Sequence, residues 1–229
     1  IGLAGLPHRH GLTIGELCRY FQHRLSGSWA LMVEPARKKA LPFIAPSPNI
    51  PAIATCQLYS GQCLWEGTNL SEGRGTTQPF ATVGAPFLNW VFTEDWNHRR
   101  HPGYHQHCRI RPLLFQPVFH KYAGEVCQGI QLMVEQADEY HSLAHTLQLM
   151  RYIRAKTPGF GWRSGPYEAF SKRPAIELLA GDPLMLDYLN GTGSWEALRS
   201  KMNDEERAWI REASPFLLYK QPLQKPKIK

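Results

Sequence analysis

The sequence predicts a domain that mixes helices with a sheet, α/β or α+β, and two observations carry that expectation. Strand-like segments occupy the middle of the 229 residues, and from Ser142 onward the apolar period becomes that of helices. Arg109 to Phe115 and Gly129 to Glu135 have strand character. Leu143, Leu147, Met150 and Ile153 then make one helical face, which Pro158-Gly159 stops. The expected architecture is a mixed sheet with a helical C-terminal layer on one face.

The remaining elements follow in chain order. Thr13 and Glu16 have capping-box spacing, and Ile14, Leu17, Cys18 and Phe21 recur behind them as one apolar helix face. Trp29 to Val33 reads as a short strand. Pro42, Pro46, Pro48 and Pro51 break a loop in which Pro46 to Asn49 is expected to be extended and stiff. Ile53 to Tyr59 and Gln62 to Trp65 are strand candidates, and Phe87 to Phe92 fits helix or strand equally. Near the end, Pro174 opens a helix that Gly181 closes, and Pro183 opens another that runs to Asn190-Gly191. Ser194 and Asp204 are N-cap candidates for two further helices, carrying Trp195 with Leu198 and Trp209 with Ile210.

Composition narrows the class. Apolar residues make up 43% of the chain, enough for a sizeable core, and no apolar run approaches a membrane-spanning length. The sequence opens on Ile1 in mid-pattern, with the expectation that residues precede it, so export is not read from this end. The net charge is +7, with clusters at Arg37-Lys38-Lys39 and from Lys220 to Lys229. These read as solvated segments rather than a nucleic-acid groove, which would interleave aromatics with a basic face. Five cysteines without a C-x-x-C pair read as small buried thiols, not as a disulfide framework.

The densest chemistry lies in Glu66-Gly67-Thr68-Asn69-Leu70-Ser71-Glu72-Gly73-Arg74-Gly75-Thr76-Thr77. Three glycines, two carboxylates, one arginine and four hydroxyls share these positions. Glycines admit positive φ and close approach of a ligand to main-chain N–H groups, and Arg74 between Gly73 and Gly75 can present its fork to a carboxylate or phosphate. A nucleotide-binding P-loop is excluded, because Gly67 and Gly73 enclose five residues and Arg-Gly-Thr stands where Gly-Lys-Thr is needed. His98, His101, His105, His107 and Cys108 resemble no closed zinc site, and Arg99, Arg100 and Arg109 would repel a cation. His10, beside Gly11 and before the capped helix, fits either a ligand contact or a structural histidine.

Four segments together resemble one family. They are Pro7 to Glu16, Pro46 to Pro51, Glu66 to Phe80 with Gly84-Ala85-Pro86, and Phe115 to Lys121 with Gly124 to Gly129. Their order and spacing, from about residue 3 to Tyr219, look like the exo-β-N-acetylmuramidase family, long catalogued as a bacterial domain of unknown function. The resemblance implies a glycoside hydrolase that releases terminal N-acetylmuramic acid from peptidoglycan fragments, placed in the periplasm or outside the cell. It implies a two-part protein with a Rossmann-like N-terminal half that this chain lacks. Residues 1–219 would be the C-terminal domain, forming one wall of the active-site cleft, with 220–229 a basic tail expected to be disordered.

The family's catalytic glutamates are then expected in the other half, which becomes a partner alongside the saccharide. No residue here is assigned to catalysis, and no metal, cofactor, nucleic acid or membrane span is expected. The candidate substrate-binding residues are His10, Asn49, Glu66, Asn69, Ser71, Glu72, Arg74 and Thr76. Arg74 has two readings: reader of the lactyl carboxylate of N-acetylmuramic acid, or partner of Glu72 that supports the loop. Around Arg37 to Leu41 the chain is shorter and more basic than the family pattern. Ser60 stands where proline is usual, and Thr93 to His107 is richer in histidine. A non-catalytic sugar-binding module of the cell wall is the alternative function.

Overall fold

The computed structural model describes residues 6–26, 30–34, 42–90, 92–98, 107–165, 167 and 173–219. Three strands, β1 (Thr82–Ala85), β2 (Cys108–Phe115) and β3 (Cys127–Val134), form a sheet in the order β1-β3-β2. Every described pairing is antiparallel, with Val83 opposite Ile130 and Phe115 opposite Cys127, so the expected mixed sheet is an antiparallel one. Seven helices accompany it among the described residues: α1 (Ile14–Arg24), α2 (Ile53–Gln62), α3 (Phe92–His98), α4 (Ser142–Lys156), α5 (Ala175–Ala180), α6 (Pro183–Asn190) and α7 (Trp195–Ala213). Four of them close the chain, as the helical period from Ser142 requires. Residues 220–229 lie outside the described residues, and so do His101, His105, Trp29 and the whole Arg37-Lys38-Lys39 cluster.

The helix ends are chemically specified. The Asp182 side chain accepts from Leu184 N–H at 2.8 Å and Ser194 from Ala197 N–H at 3.1 Å, while Gly181 and Gly191 end their helices at φ of 65° and 91°. Leu143, Leu147, Met150 and Ile153 are all buried, as their spacing demands. They join Trp65, Leu70, Val83, Ile130 and Leu189 in the main core.

Several expectations give way. Ile53 to Tyr59 is helical, and Gln62 to Trp65 forms the last residue of α2 and a 3₁₀ turn, Cys63–Gly67. The buried residues Thr55, Leu58, Gly61 and Gln62 recur at helical intervals, and packing on α4 overrides the β-branched composition. Gly61 is needed at that crossing, because a Cβ there would lie 2.3 Å from the Ser142 carbonyl. Asp204 caps nothing and lies within a single nineteen-residue α7. Pro46 to Asn49 is a turn, closed by Ile50 N–H donating to Ser47 O at 2.9 Å. Residues 30–33 carry no regular structure, and Phe87 to Trp90 is irregular ahead of α3. Only Cys108 and Cys127 are buried; Cys18 and Cys56 are exposed, and all five thiols are free.

Helix α1 shows why apolar spacing misread its face. Ile14 is 83% exposed, whereas Glu16 and Tyr20 are buried. Tyr20 packs edge-on against Trp209 and Phe216 at 5.2 and 5.5 Å, and its hydroxyl donates to Glu212 at 2.6 Å. With Leu12 and Ala213 these residues form a second, smaller core. Glu16 completes the capping box and also accepts the Leu218 N–H at 2.8 Å, tying the helix start to the far end of the described chain. Burial pushes the Glu16 carboxyl up, but hydrogen bonds from Thr13 and Leu218 outweigh it and hold the group below its ordinary value.

A depressed folded value stabilises the protein above the ordinary carboxylate range and is lost as pH falls through the folded value. E16Q should therefore cost about 1 kcal/mol in urea denaturation at neutral pH. The gap between E16Q and the unsubstituted protein should shrink in the acid range. A gap independent of pH would show that the carboxylate charge contributes nothing at this join.

Candidate functional site

The segment from Glu66 to Thr77 is not the exposed polar loop that its composition suggests. Thr68, Ser71 and Glu72 are buried, and the strand-like contact of Ser71 with Gly84 (N–H to O at 2.7 and 3.0 Å) holds the loop alongside β1, on its edge away from β3. Its other side is bound by residues 159–163. Asn69 N–H donates to Gly161 O at 2.9 Å, and Arg163 N–H donates to Gly67 O at 2.8 Å. The Asn69 side chain bridges Gly159 O and Gly161 N–H at 2.8 and 2.9 Å. Ser71 Oγ accepts from Gly73 N–H, and Thr76 Oγ1 donates to Gly73 O and accepts from Gln78 N–H. Three of the candidate ligand contacts thus use polar side-chain atoms to shape the loop itself.

Gly75 shows what the shape requires. Its φ is +82°, and a Cβ there would lie 2.5 Å from the Phe119 carbonyl, so only glycine fits. Val118 N–H donates to Gly75 O at 2.9 Å, docking the turn 117–124 on the loop. Two residues of that turn, His120 and Tyr122, adopt positive φ of 71° and 58° without being glycine. The turn delivers Lys121 inward.

Lys121 Nζ donates to Trp65 O, Leu70 O and Glu72 Oε2 at 3.1, 2.9 and 2.9 Å, so all its protons have acceptors. Burial is the largest influence on this ammonium and presses it below its ordinary value, against the opposing pull of Glu72. The fully buried Glu72 also has Oε1 at 3.2 Å from Arg74 Nε and at 3.2 Å from His120 Nδ1. Neither contact at Oε1 is an aligned hydrogen bond, and that of Arg74 acts through charge. Arg74 Nη2 donates to Glu66 Oε1 at 2.8 Å, its guanidinium lies 5.0 Å from the Phe80 ring centroid, and Tyr167 donates to Glu66 Oε2 at 2.9 Å.

The structure therefore brings Glu66, Glu72 and Arg74 into one charged cluster, with Asn69, Ser71 and Thr76 as its frame. It links neither His10 nor Asn49 to that cluster by any hydrogen bond or ion pair among the described residues. His10 Nδ1 accepts from Leu12 N–H at 3.1 Å and its carbonyl accepts from Trp209, while burial lowers its basicity. Asn49 belongs to the turn after Pro46, where its N–H donates to Ser47 Oγ. Sequence reasoning did not single out His120, Lys121, Arg163 or Tyr167. The available signal for His120 and Lys121 was the segment Phe115 to Lys121, which carries part of the family resemblance.

Arg74 and His120 reach the surface at 23% and 37% side-chain exposure, beside exposed Tyr59, Val118 and Phe119. Tyr59 stacks edge-on against Phe80 at 4.8 Å. This edge combines aromatic faces with fixed polar groups, the mixture that holds a sugar ring by its apolar face and its hydroxyls. Among the described residues no group of three His, Cys, Asp or Glu side chains could hold a metal, and no helix is long and apolar enough to cross a membrane.

Removing one member of a buried pair leaves the other charge uncompensated, at a cost of about 3 kcal/mol or more. K121M should lower stability by about that amount, read from chemical denaturation. A change under about 1 kcal/mol would show that Arg74 alone neutralises Glu72.

Comparison with known proteins supplies the family. The model described as exo-beta-N-acetylmuramidase NamZ, C-terminal, matches residues 57–219. Of the four segments that carry the sequence resemblance, Pro7 to Glu16 and Pro46 to Pro51 precede that range. Over 168 residues the chain is 36% identical to the peptidoglycan beta-N-acetylmuramidase NamZ of Bacillus subtilis (strain 168), a stretch that makes up 69% of this chain and 40% of that protein. The chain thus spans well under half the length of its curated relative. Crystal structures of two DUF1343 family proteins from Bacteroides fragilis NCTC 9343 share the fold, with TM-scores of 0.72 and 0.62 at 21% and 24% identity. Each alignment covers 92% of this chain and 56% of the other. Matched over most of its length, this chain belongs to the NamZ C-terminal family of exo-β-N-acetylmuramidases.

Proposed function

We propose that this chain forms one wall of a saccharide site in a peptidoglycan exo-hydrolase that releases terminal N-acetylmuramic acid. The observation that carries the reading is the charged cluster of Glu66, Glu72, Arg74 and Lys121, rigid within and open along the edge formed by Tyr59, Arg74, Phe119 and His120. The relative from B. subtilis is a peptidoglycan beta-N-acetylmuramidase, which supplies the substrate class. Its setting would be periplasmic or extracellular, where cell-wall saccharide is found.

The chain's part is binding rather than proton transfer. Glycoside hydrolysis needs a carboxylic acid to protonate the leaving oxygen, and a second carboxyl group or the substrate's acetamido group to act at the anomeric carbon. Glu66 and Glu72 are each engaged by a cation, and Glu72 is fully buried. In this reading the reacting carboxyl groups belong to the portion of such a hydrolase that this chain does not span. The two portions would enclose the sugar between them. Asn69, Ser71 and Thr76 keep the loop's form, and Arg74 holds Glu66 and Glu72 together.

Titration of this chain with a disaccharide ending in N-acetylmuramic acid should give saturable binding without release of the monosaccharide. Release by the chain alone would move the chemistry to Glu66 or Glu72, and absence of binding would overturn the reading. R74K keeps the charge but loses the planar fork that reaches both carboxylates. It should weaken N-acetylmuramic acid and N-acetylglucosamine alike, by roughly tenfold. A selective loss for N-acetylmuramic acid would instead make Arg74 the reader of its carboxylate.

A further inference from the structure

We propose that Arg163 receives the anionic group of the ligand, a carboxylate borne by the terminal sugar, so that it sets specificity at this site. The inference rests on the saccharide-binding reading above and adds a residue and a ligand chemistry to it.

The backbone fixes Arg163 beside the loop. Its N–H donates to Gly67 O at 2.8 Å, and the preceding Trp162 pairs with Thr68 in an isolated antiparallel bridge. Its guanidinium carbon lies 5.4 Å from the centroid of the Tyr167 ring, and that ring's hydroxyl donates to Glu66 Oε2 at 2.9 Å. Arg74 holds the opposite oxygen of the same carboxylate at 2.8 Å. Glu66 therefore has one arginine on its Oε1 and, through Tyr167, a second arginine near its Oε2.

The two arginines differ in what they hold. Arg74 is bound to Glu66 and Glu72. Other stacked arginines are engaged as well: Arg151 donates to Tyr188 O and Gly193 O at 2.8 and 3.0 Å, and Arg154 donates to Leu189 O at 2.7 Å. Arg163 is half-buried, yet among the described residues no carboxylate or carbonyl accepts from its guanidinium. A guanidinium positioned by stacking, partly removed from water and lacking an acceptor is arranged to take an oxyanion through two parallel hydrogen bonds. Its charge is also felt within the cluster, being one of the lesser causes, after burial, that press the Lys121 ammonium down.

The sugars that distinguish this role are N-acetylmuramic acid and N-acetylglucosamine, which differ by a lactyl ether ending in a carboxylate. Calorimetric titration of the full chain with each sugar gives their affinity ratio. R163Q should reduce that ratio about tenfold, with N-acetylglucosamine binding nearly unchanged. R163K should recover part of it by restoring charge without the fork. Thermal melting of both variants should match the unsubstituted protein, separating recognition from folding. An unchanged ratio in R163Q would overturn the role of Arg163 while leaving the saccharide site intact. A chain that binds neither sugar, or binds both equally, would overturn the site reading and this inference together.

Discussion

The ammonium of Lys121 is the constraint on which the site's geometry depends. It joins the 3₁₀ turn, through Trp65 O, to the glycine-rich loop, through Leu70 O and Glu72. A carboxylate as buried as Glu72 is tolerable only if cations neutralise it and orient their hydrogens toward it. Lys121 and Arg74 meet that need from two directions, and each thereby fixes a different stretch of backbone. The turn at Pro117 to Gly124 that brings Lys121 to the buried charge carries two non-glycine residues at positive φ and is also held by Val118 N–H on Gly75 O.

This division of labour explains why so polar a loop exposes so little. Hydroxyl and amide side chains from Thr68 to Thr76 satisfy nearby main-chain groups, as buried polar groups must. In the proposed saccharide site, recognition then falls to the few atoms that emerge at the rim. Rigid polar support behind an aromatic edge lets a weakly apolar ligand meet donors that are already oriented, reducing the ordering cost of binding.

Much of the fold was legible, and its failures have physical causes. Caps at Thr13 and Ser194, the helix start at Pro183 and the stops at Gly181 and Gly191 act locally, so they can be read residue by residue. The strand reading of Ile53 to Tyr59 failed because a short apolar run takes its conformation from its neighbour, here α4. The face of α1 failed because its buried side chains are polar and satisfied by Leu218 and Glu212, contacts some two hundred positions away. In the site, Glu66, Glu72 and Arg74 stood out by composition. Arg163 and Tyr167 carry no local pattern, Lys121 stood only as the end of a segment that carries the family resemblance, and only the fold brings them to the loop.

Those distances along the chain bear on how the site comes into being. Lys121 meets the loop across 49 to 56 residues, and Tyr167 meets Glu66 across 101. Closing such long segments carries an entropy cost that local helix formation does not, so these contacts form only after much of the core has condensed. A peptide cut from residues 66–77 would keep the contacts of Arg74 and the hydroxyl turns but lack Gly84, Lys121, Gly161 and Tyr167, which hold the loop from outside. The proposed recognition would in this sense be a late property of folding. A nascent or partly opened chain would possess its helices without the capacity to hold a ligand.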